Sequence, residues 1–233
     1  MHVFISDAHI RSDQSERAKM LIRFLSQLKP EITDIYILGD LFEFWFEYNI
    51  AFPKDYFRIL ATLYNLIQDG RRVHYVLGNH EVMIGNFLQN FGFVVHRSET
   101  VIDIEGKKVF MAHGNRVDRR LWTWMWEKLL TSKVNHLLYS LLHPDIGVFI
   151  AQGIAHLSRK QRRSVQLARM MELYARRKLR DVDIVIMAHS HVPVLKEYAD
   201  GKYYVNTGDW VTNYTYTVMD RGRISLYYYR KQI

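Results

Sequence analysis

Cysteine is absent from this 233-residue chain, which rules out a disulfide scaffold and any thiolate metal site and suits a reducing compartment. Proline and glycine are scarce, at 4 and 12 residues, so long disordered tracts are not expected. A long apolar run is missing too. The most apolar stretch, Val134 to Leu157, is broken by His136, His143, Pro144 and Asp145. It falls short of the ~18 uninterrupted apolar residues that a spanning helix needs. Residues 1–6 read as the start of a strand, with no charged and apolar leader before them, so no signal peptide is expected. These absences point to a cytoplasmic protein, soluble or attached to a membrane from one side.

What is present is apolar material for a substantial core, 48% of residues, which fits one domain with an insertion as well as two domains. The formal charge of +8 is unevenly spread. Between Arg116 and Arg180 there are 14 Lys/Arg against 4 Asp/Glu, a local balance of +10, which leaves −2 for the rest. The basicity belongs to one segment.

Residues 1–115 alternate apolar strands with amphipathic helices. Strands are expected at Val3–Ser6, Ile35–Leu38, Val73–Leu77 and Val109–Ala112, with weaker ones at Phe93–Val95 and Val101–Ile104. Ala18, Leu21, Ile22, Leu25 and Leu28 recur at helical spacing, as do Phe57, Leu60, Tyr64 and Ile67. Such an alternation argues for an α/β fold with chemistry at the strand ends. Residues 116–180 read as helical, ending in a basic helix from Ser158 to Arg180. Strands return at Ile184–Met187, Val194–Tyr198, Tyr203–Asn206, Tyr214–Met219 and Ile224–Tyr229.

Five short clusters follow five of the expected strands: Asp7-Ala8-His9, Gly39-Asp40, Gly78-Asn79-His80-Glu81, His113-Gly114-Asn115 and His189-Ser190-His191. Hard oxygen and imidazole donors without thiolate suit divalent ions such as manganese, zinc or iron. One Asp-x-His arises often by chance, and a lone histidine is usually a packed one. Five clusters in order, each at a strand terminus, are not explained that way. His2, His74, His96, His136, His143 and His156 lie outside the clusters and are expected to be packed or surface histidines.

This order resembles the calcineurin-like metallophosphoesterase superfamily, whose pattern is D-x-H, G-D, G-N-H-[ED], a lone H, and G-H-x-H. The match runs from Asp7 to His191, departing at Ala188, where glycine is usual, and at Asn115, where aspartate is frequent. The resemblance implies a four-layer α-β-β-α sandwich over residues 1–233 with a helical lid inserted at about 116–180. It also implies two divalent cations, manganese foremost and zinc or iron as alternatives. Asp7, His9 and His191 would hold one, Asn79, His113 and His189 the other, and Asp40 would bridge them. A metal-bridging hydroxide would attack phosphorus, and His80 would stabilise the transition state or protonate the leaving oxygen. Glu81 would orient the His80 ring or lie as a surface acid.

The stretch Ile37-Leu38-Gly39-Asp40-Leu41-Phe42-Glu43-Phe44-Trp45 is more specific. With the chain length and helical insert, it resembles the UDP-2,3-diacylglucosamine pyrophosphatases of lipid A synthesis. Those enzymes act on a nucleotide-linked glycolipid and sit peripherally on the inner membrane. A basic, Leu-rich insert fits a diphosphate, acyl chains and an anionic leaflet. Within it Trp122 and Trp126 suit an acyl pocket or the packing of the insert on the body. Arg159 and Arg162 suit a phosphate contact or a solvated helix face, and Asp118 a sugar hydroxyl. In contrast, Asn206-Thr207-Gly208-Asp209-Trp210 resembles more distant relatives of those enzymes. A related esterase of another nucleotide, phospholipid or nucleic-acid diester is the alternative, and a scaffold without activity the remaining class. Because all seven ligand positions are filled, a scaffold is not expected; the Leu-rich stripe at 134–142 beside the tryptophans favours lipid over nucleic acid, and no protein partner is inferred.

Overall fold

A computed structural model of the chain describes residues 1–47, 53–117, 146 and 165–229. Strands β1 (His2–Ile5), β2 (Asp34–Ile37), β4 (Arg72–Val76) and β6 (Val94–His96) pair side by side and parallel. At the β1 edge, β12 (Thr215–Asp220) and β13 (Arg223–Tyr228) continue the sheet antiparallel, giving the order β13-β12-β1-β2-β4-β6. A second sheet has the order β10-β11-β9-β8-β7. Its members are β7 (Thr100–Ile104), β8 (Lys107–Met111), β9 (Ile184–Met187), β10 (Val194–Tyr198) and β11 (Lys202–Asn206). Within it β8, β9 and β11 are parallel.

Alternate residues of a strand face opposite ways, and that sorts the core into layers. Phe4, Tyr36, Leu38 and Val76 of the first sheet meet Val109, Met111, Ile184, Ile186 and Val205 of the second. The other face of the first sheet carries Val3, Ile5, Ile35, Ile37 and Tyr75. It is covered by α1 (Glu16–Ser26) and α2 (Phe57–Gln68) through Leu21, Leu25, Ile59 and Leu63. Ser15 starts α1 by accepting the Ala18 N–H at 3.2 Å, an N-terminal cap. On the outer face of the second sheet, Leu167, Met171 and Ala175 of α4 (Val165–Lys178) pack against Phe110, Val185 and Tyr204. The layers are therefore helix, sheet, sheet, helix, as the family resemblance implied.

The expected strands form within a residue or two. Tyr214 marks one boundary, because its φ of 51° is left-handed and the strand starts only at Thr215. A parallel pair escaped the pattern: β3 (Trp45–Phe46) with β5 (Glu81–Met83), too short for any periodicity. A single helical turn, α3 (Phe87–Asn90), was likewise not anticipated. Of the expected helical insert, α4 is described. Asp118, Trp122, Trp126, Arg159 and Arg162 lie outside the described residues.

At the strand ends opposite the clusters, the fully buried Asp34 carboxylate meets Arg72 Nε at 2.6 Å, His2 Nδ1 at 3.2 Å and His74 Nε2 at 3.4 Å. Burial pushes its pKa up, but these partners and the Thr33 hydroxyl outweigh burial and hold it far below the usual carboxylate range. A depressed pKa contributes stability above the unfolded-state value of about 4 and loses it as pH falls below that. Asp34→Asn is therefore expected to cost about 2 kcal/mol at neutral pH. In thermal melts, the gap between variant and wild type should shrink on acidification from pH 5 to pH 2.

Candidate metal centre

All five clusters sit at the C-terminal ends of parallel strands: after β1, β2 and β4 in one sheet and after β8 and β9 in the other. Because the sheets face each other, these ends meet at one edge of the sandwich. Asp7 N–H donates to Gly39 O at 3.1 Å and His9 N–H to Asp40 O at 2.9 Å, joining the first two loops. Gly39 has φ 81°, and a methyl there would lie 2.7 Å from Gly78 Cα and 2.8 Å from His113 Nδ1. Only glycine fits this approach.

Asp7, His9, Asp40, His189 and His191 all have left-handed φ, between 45° and 66°. Such backbone is uncommon outside glycine and costs on the order of 1 kcal/mol or more per residue. It turns five side chains inward immediately after their strands. Three overlapping groups result: Asp7, His9 and His191; His9, Asp40 and His80; and Asp40, His113 and His189. In each, one donor atom per residue lies within 4.8 Å of the others, and every residue is buried. Asp40 Oδ2 is 3.4 Å from His113 Nε2, 3.7 Å from His80 Nε2 and 3.8 Å from His9 Nε2, so it lies between the groups. Asn79 Oδ1 stands 3.2 Å from His113 Nε2.

The ring orientations are fixed from behind. A carbonyl oxygen only accepts, so Leu38 O, 2.7 Å from His113 Nδ1, fixes the hydrogen on that nitrogen and leaves Nε2 facing inward. His80 Nδ1 donates to Glu43 O in the same way. Glu81 does not orient that ring. It is buried, and it accepts Tyr75 O–H at 2.7 Å, Gly78 N–H at 2.7 Å and Asp40 N–H at 3.1 Å. It thus ties the second and third loops together. Ala188 fits because its methyl enters the core between the sheets.

The charges suit cations. Burial pushes the Asp7 and Asp40 carboxyls up, yet the facing histidines outweigh it and hold both well below the ordinary range: His191 and His113 for Asp7, His113 and His80 for Asp40. Burial brings His9 down to about 3, so it is a neutral imidazole at physiological pH. His113 goes the other way, to about 9, because Asp40 and Asp7 overcome its burial. Binding a cation there therefore releases a proton. Asp7 Oδ1, His9 Nε2 and His191 Nε2 are buried and lack a hydrogen-bond partner, a costly arrangement without something to satisfy them. Two imidazole nitrogens, His189 Nδ1 and His113 Nε2, stand 3.1 Å apart, and about 3 Å is the spacing of neighbouring donors around one small cation. Buried N and O donors of this kind fit divalent metal ions.

UDP-2,3-diacylglucosamine hydrolase of Porphyromonas gingivalis is 29% identical, over 93% of each chain. Proteins of the same name from Haemophilus influenzae and Neisseria meningitidis are 26% and 28% identical, over 91% of this chain and 91% and 90% of theirs. Among solved structures, Vps29 of Entamoeba histolytica, complexed with zinc, matches with TM-score 0.48 and 18% identity, over 97% of this chain and 89% of that one. The family model for calcineurin-like phosphoesterases matches residues 3–193, which takes in every one of the five strand-end clusters. The chain is thus a hydrolase and belongs to the calcineurin-like phosphoesterase family.

Proposed function

We propose that this protein hydrolyses the pyrophosphate of UDP-2,3-diacylglucosamine, releasing UMP and 2,3-diacylglucosamine 1-phosphate. The observation that carries the reaction type is Asp40 Oδ2, a buried carboxylate oxygen between two donor groups. The substrate assignment is supported by relatives of that name matching nearly end to end. Asp7, His9 and His191 would hold one cation, Asn79, His113 and His189 the other, and Asp40 would serve both. Two divalent ions, manganese on this proposal, supply Lewis acidity that makes water nucleophilic at neutral pH and neutralises phosphate charge. His80, its Nδ1 anchored on Glu43 O, presents Nε2 to the phosphoryl or leaving oxygen as a proton donor.

The residues from 116 to 180 form an insert of the single domain, on this proposal, and cover the acyl chains. Trp122 and Trp126 line the acyl path, Arg159 and Arg162 meet phosphate, and Asp118 meets the sugar. No helix among the described residues is long and apolar enough to cross a membrane. Contact with the bilayer is proposed to be peripheral, through basic residues attracted to anionic lipid.

Release of UMP from UDP-2,3-diacylglucosamine in detergent, with UDP-N-acetylglucosamine and an aryl phosphodiester alongside, tests the assignment. Turnover of the acylated substrate far above both others is expected. Equal turnover of the aryl diester would remove the lipid and leave a general phosphodiesterase. In the same assay, Trp122→Ala and Trp126→Ala are expected to slow the lipid about tenfold more than the aryl diester. Equal losses on both would rule out the acyl path.

A further inference from the structure

Outside the five clusters, two buried carboxylates face the Asp7–His9–His191 group from behind: Glu43, with Oε2 3.9 Å from His9 Nδ1, and Asp209. Asp209 follows β11 in the loop 207–214 and is fully buried. Its Oδ2 lies 3.8 Å from His191 Nδ1, while His191 Nε2, on the other side of the ring, lies 3.3 Å from Asp7 Oδ1. The imidazole therefore stands between a carboxylate at Nδ1 and Asp7 at Nε2. The loop holds Asp209 firmly. Oδ1 accepts the N–H groups of Val211, Thr212 and Asn213, and Oδ2 accepts Asn213 Nδ2 at 2.6 Å. It also grips both ends of one donor group, since Trp210 N–H donates to Asp7 O at 3.1 Å and Asn213 Nδ2 to His191 O at 2.9 Å. Trp210 packs beneath it against Phe24 and Tyr229.

We infer that Asp209 is a positioning residue for the Asp7–His9–His191 half of the centre. A carboxylate facing Nδ1 favours hydrogen on that nitrogen, leaves Nε2 as the donor lone pair and makes it more basic. The inference rests on the two-cation reading and goes beyond it. It assigns a role to the Asn206–Trp210 segment and makes the two halves unequal: His113 is backed by a neutral carbonyl, His191 by a charge.

The test is calorimetric titration of Mn²⁺ into chelator-stripped protein, with thermal melts of each variant. Asp209→Asn keeps an oxygen for the three backbone N–H groups but removes the charge facing His191. Asn213→Ala loosens the same loop and keeps the charge. Wild type should show two binding steps. In Asp209→Asn one step should weaken about 10- to 100-fold and the other stay within about threefold. Asn213→Ala should keep both within about threefold while melting no higher than Asp209→Asn. Two unchanged steps in Asp209→Asn would overturn the inference. Equal weakening of both steps, or the same weakening in Asn213→Ala, would make the loop a brace only and overturn it too. If wild type itself lacks two steps, the two-cation reading fails instead.

Discussion

Asp40→Asn is expected to lower kcat by about three orders of magnitude or more and to leave the protein folded. The two side chains have the same shape, and asparagine tolerates the left-handed φ of 52° at this position. Its amide oxygen can still accept the His80 N–H that Asp40 Oδ1 accepts at 2.9 Å. What disappears is the negative charge between the two donor groups, where Oδ2 is 3.4 Å from His113 Nε2 and 3.8 Å from His9 Nε2. A melting temperature near wild type with almost no turnover is the predicted pair of results. Turnover within tenfold of wild type would remove Asp40 from the chemistry.

His80→Asn should behave differently. His80 belongs by distance to a donor group with His9 and Asp40, so geometry alone would allow it as a ligand. Its Nδ1 is anchored on Glu43 O as that of His113 is on Leu38 O, and the proposed reaction makes it a proton donor rather than a ligand. The expected loss is about 10²- to 10⁴-fold in kcat, with bound metal unchanged. If a bound cation were lost along with the rate, His80 would be a ligand. A rate within threefold of wild type would take it out of the reaction.

The gathering of Asp7, His9, Asp40, His80, His113, His189 and His191 at one edge was legible in the sequence because each lies just past an apolar run and beside a glycine or another such residue. Alternation and helical spacing also marked the strands of the two large sheets, α1 and α2. Less legible was everything fixed by contact between distant loops. Glu81 reads as an orienter of its neighbour His80, yet its carboxylate serves Asp40, 41 positions away, together with Gly78 and Tyr75. Asp209 stands 18 residues after His191 in a segment that resembled only distant relatives, and its bearing on the centre exists only once β11 pairs with β9. The left-handed backbone at Asp7, His9 and His191 leaves no mark in composition, because the residues are not glycine.

The central claim is that one edge of the sandwich holds two divalent cations that the reaction requires. Its most direct test is to count metal per chain by mass spectrometry as Mn²⁺ is returned to stripped protein, following hydrolysis in the same samples. The account predicts no hydrolysis in stripped protein, two ions per chain at saturation and full rate only when both are bound. Full hydrolysis by protein carrying no metal, or full rate with saturation at one ion per chain, would contradict it.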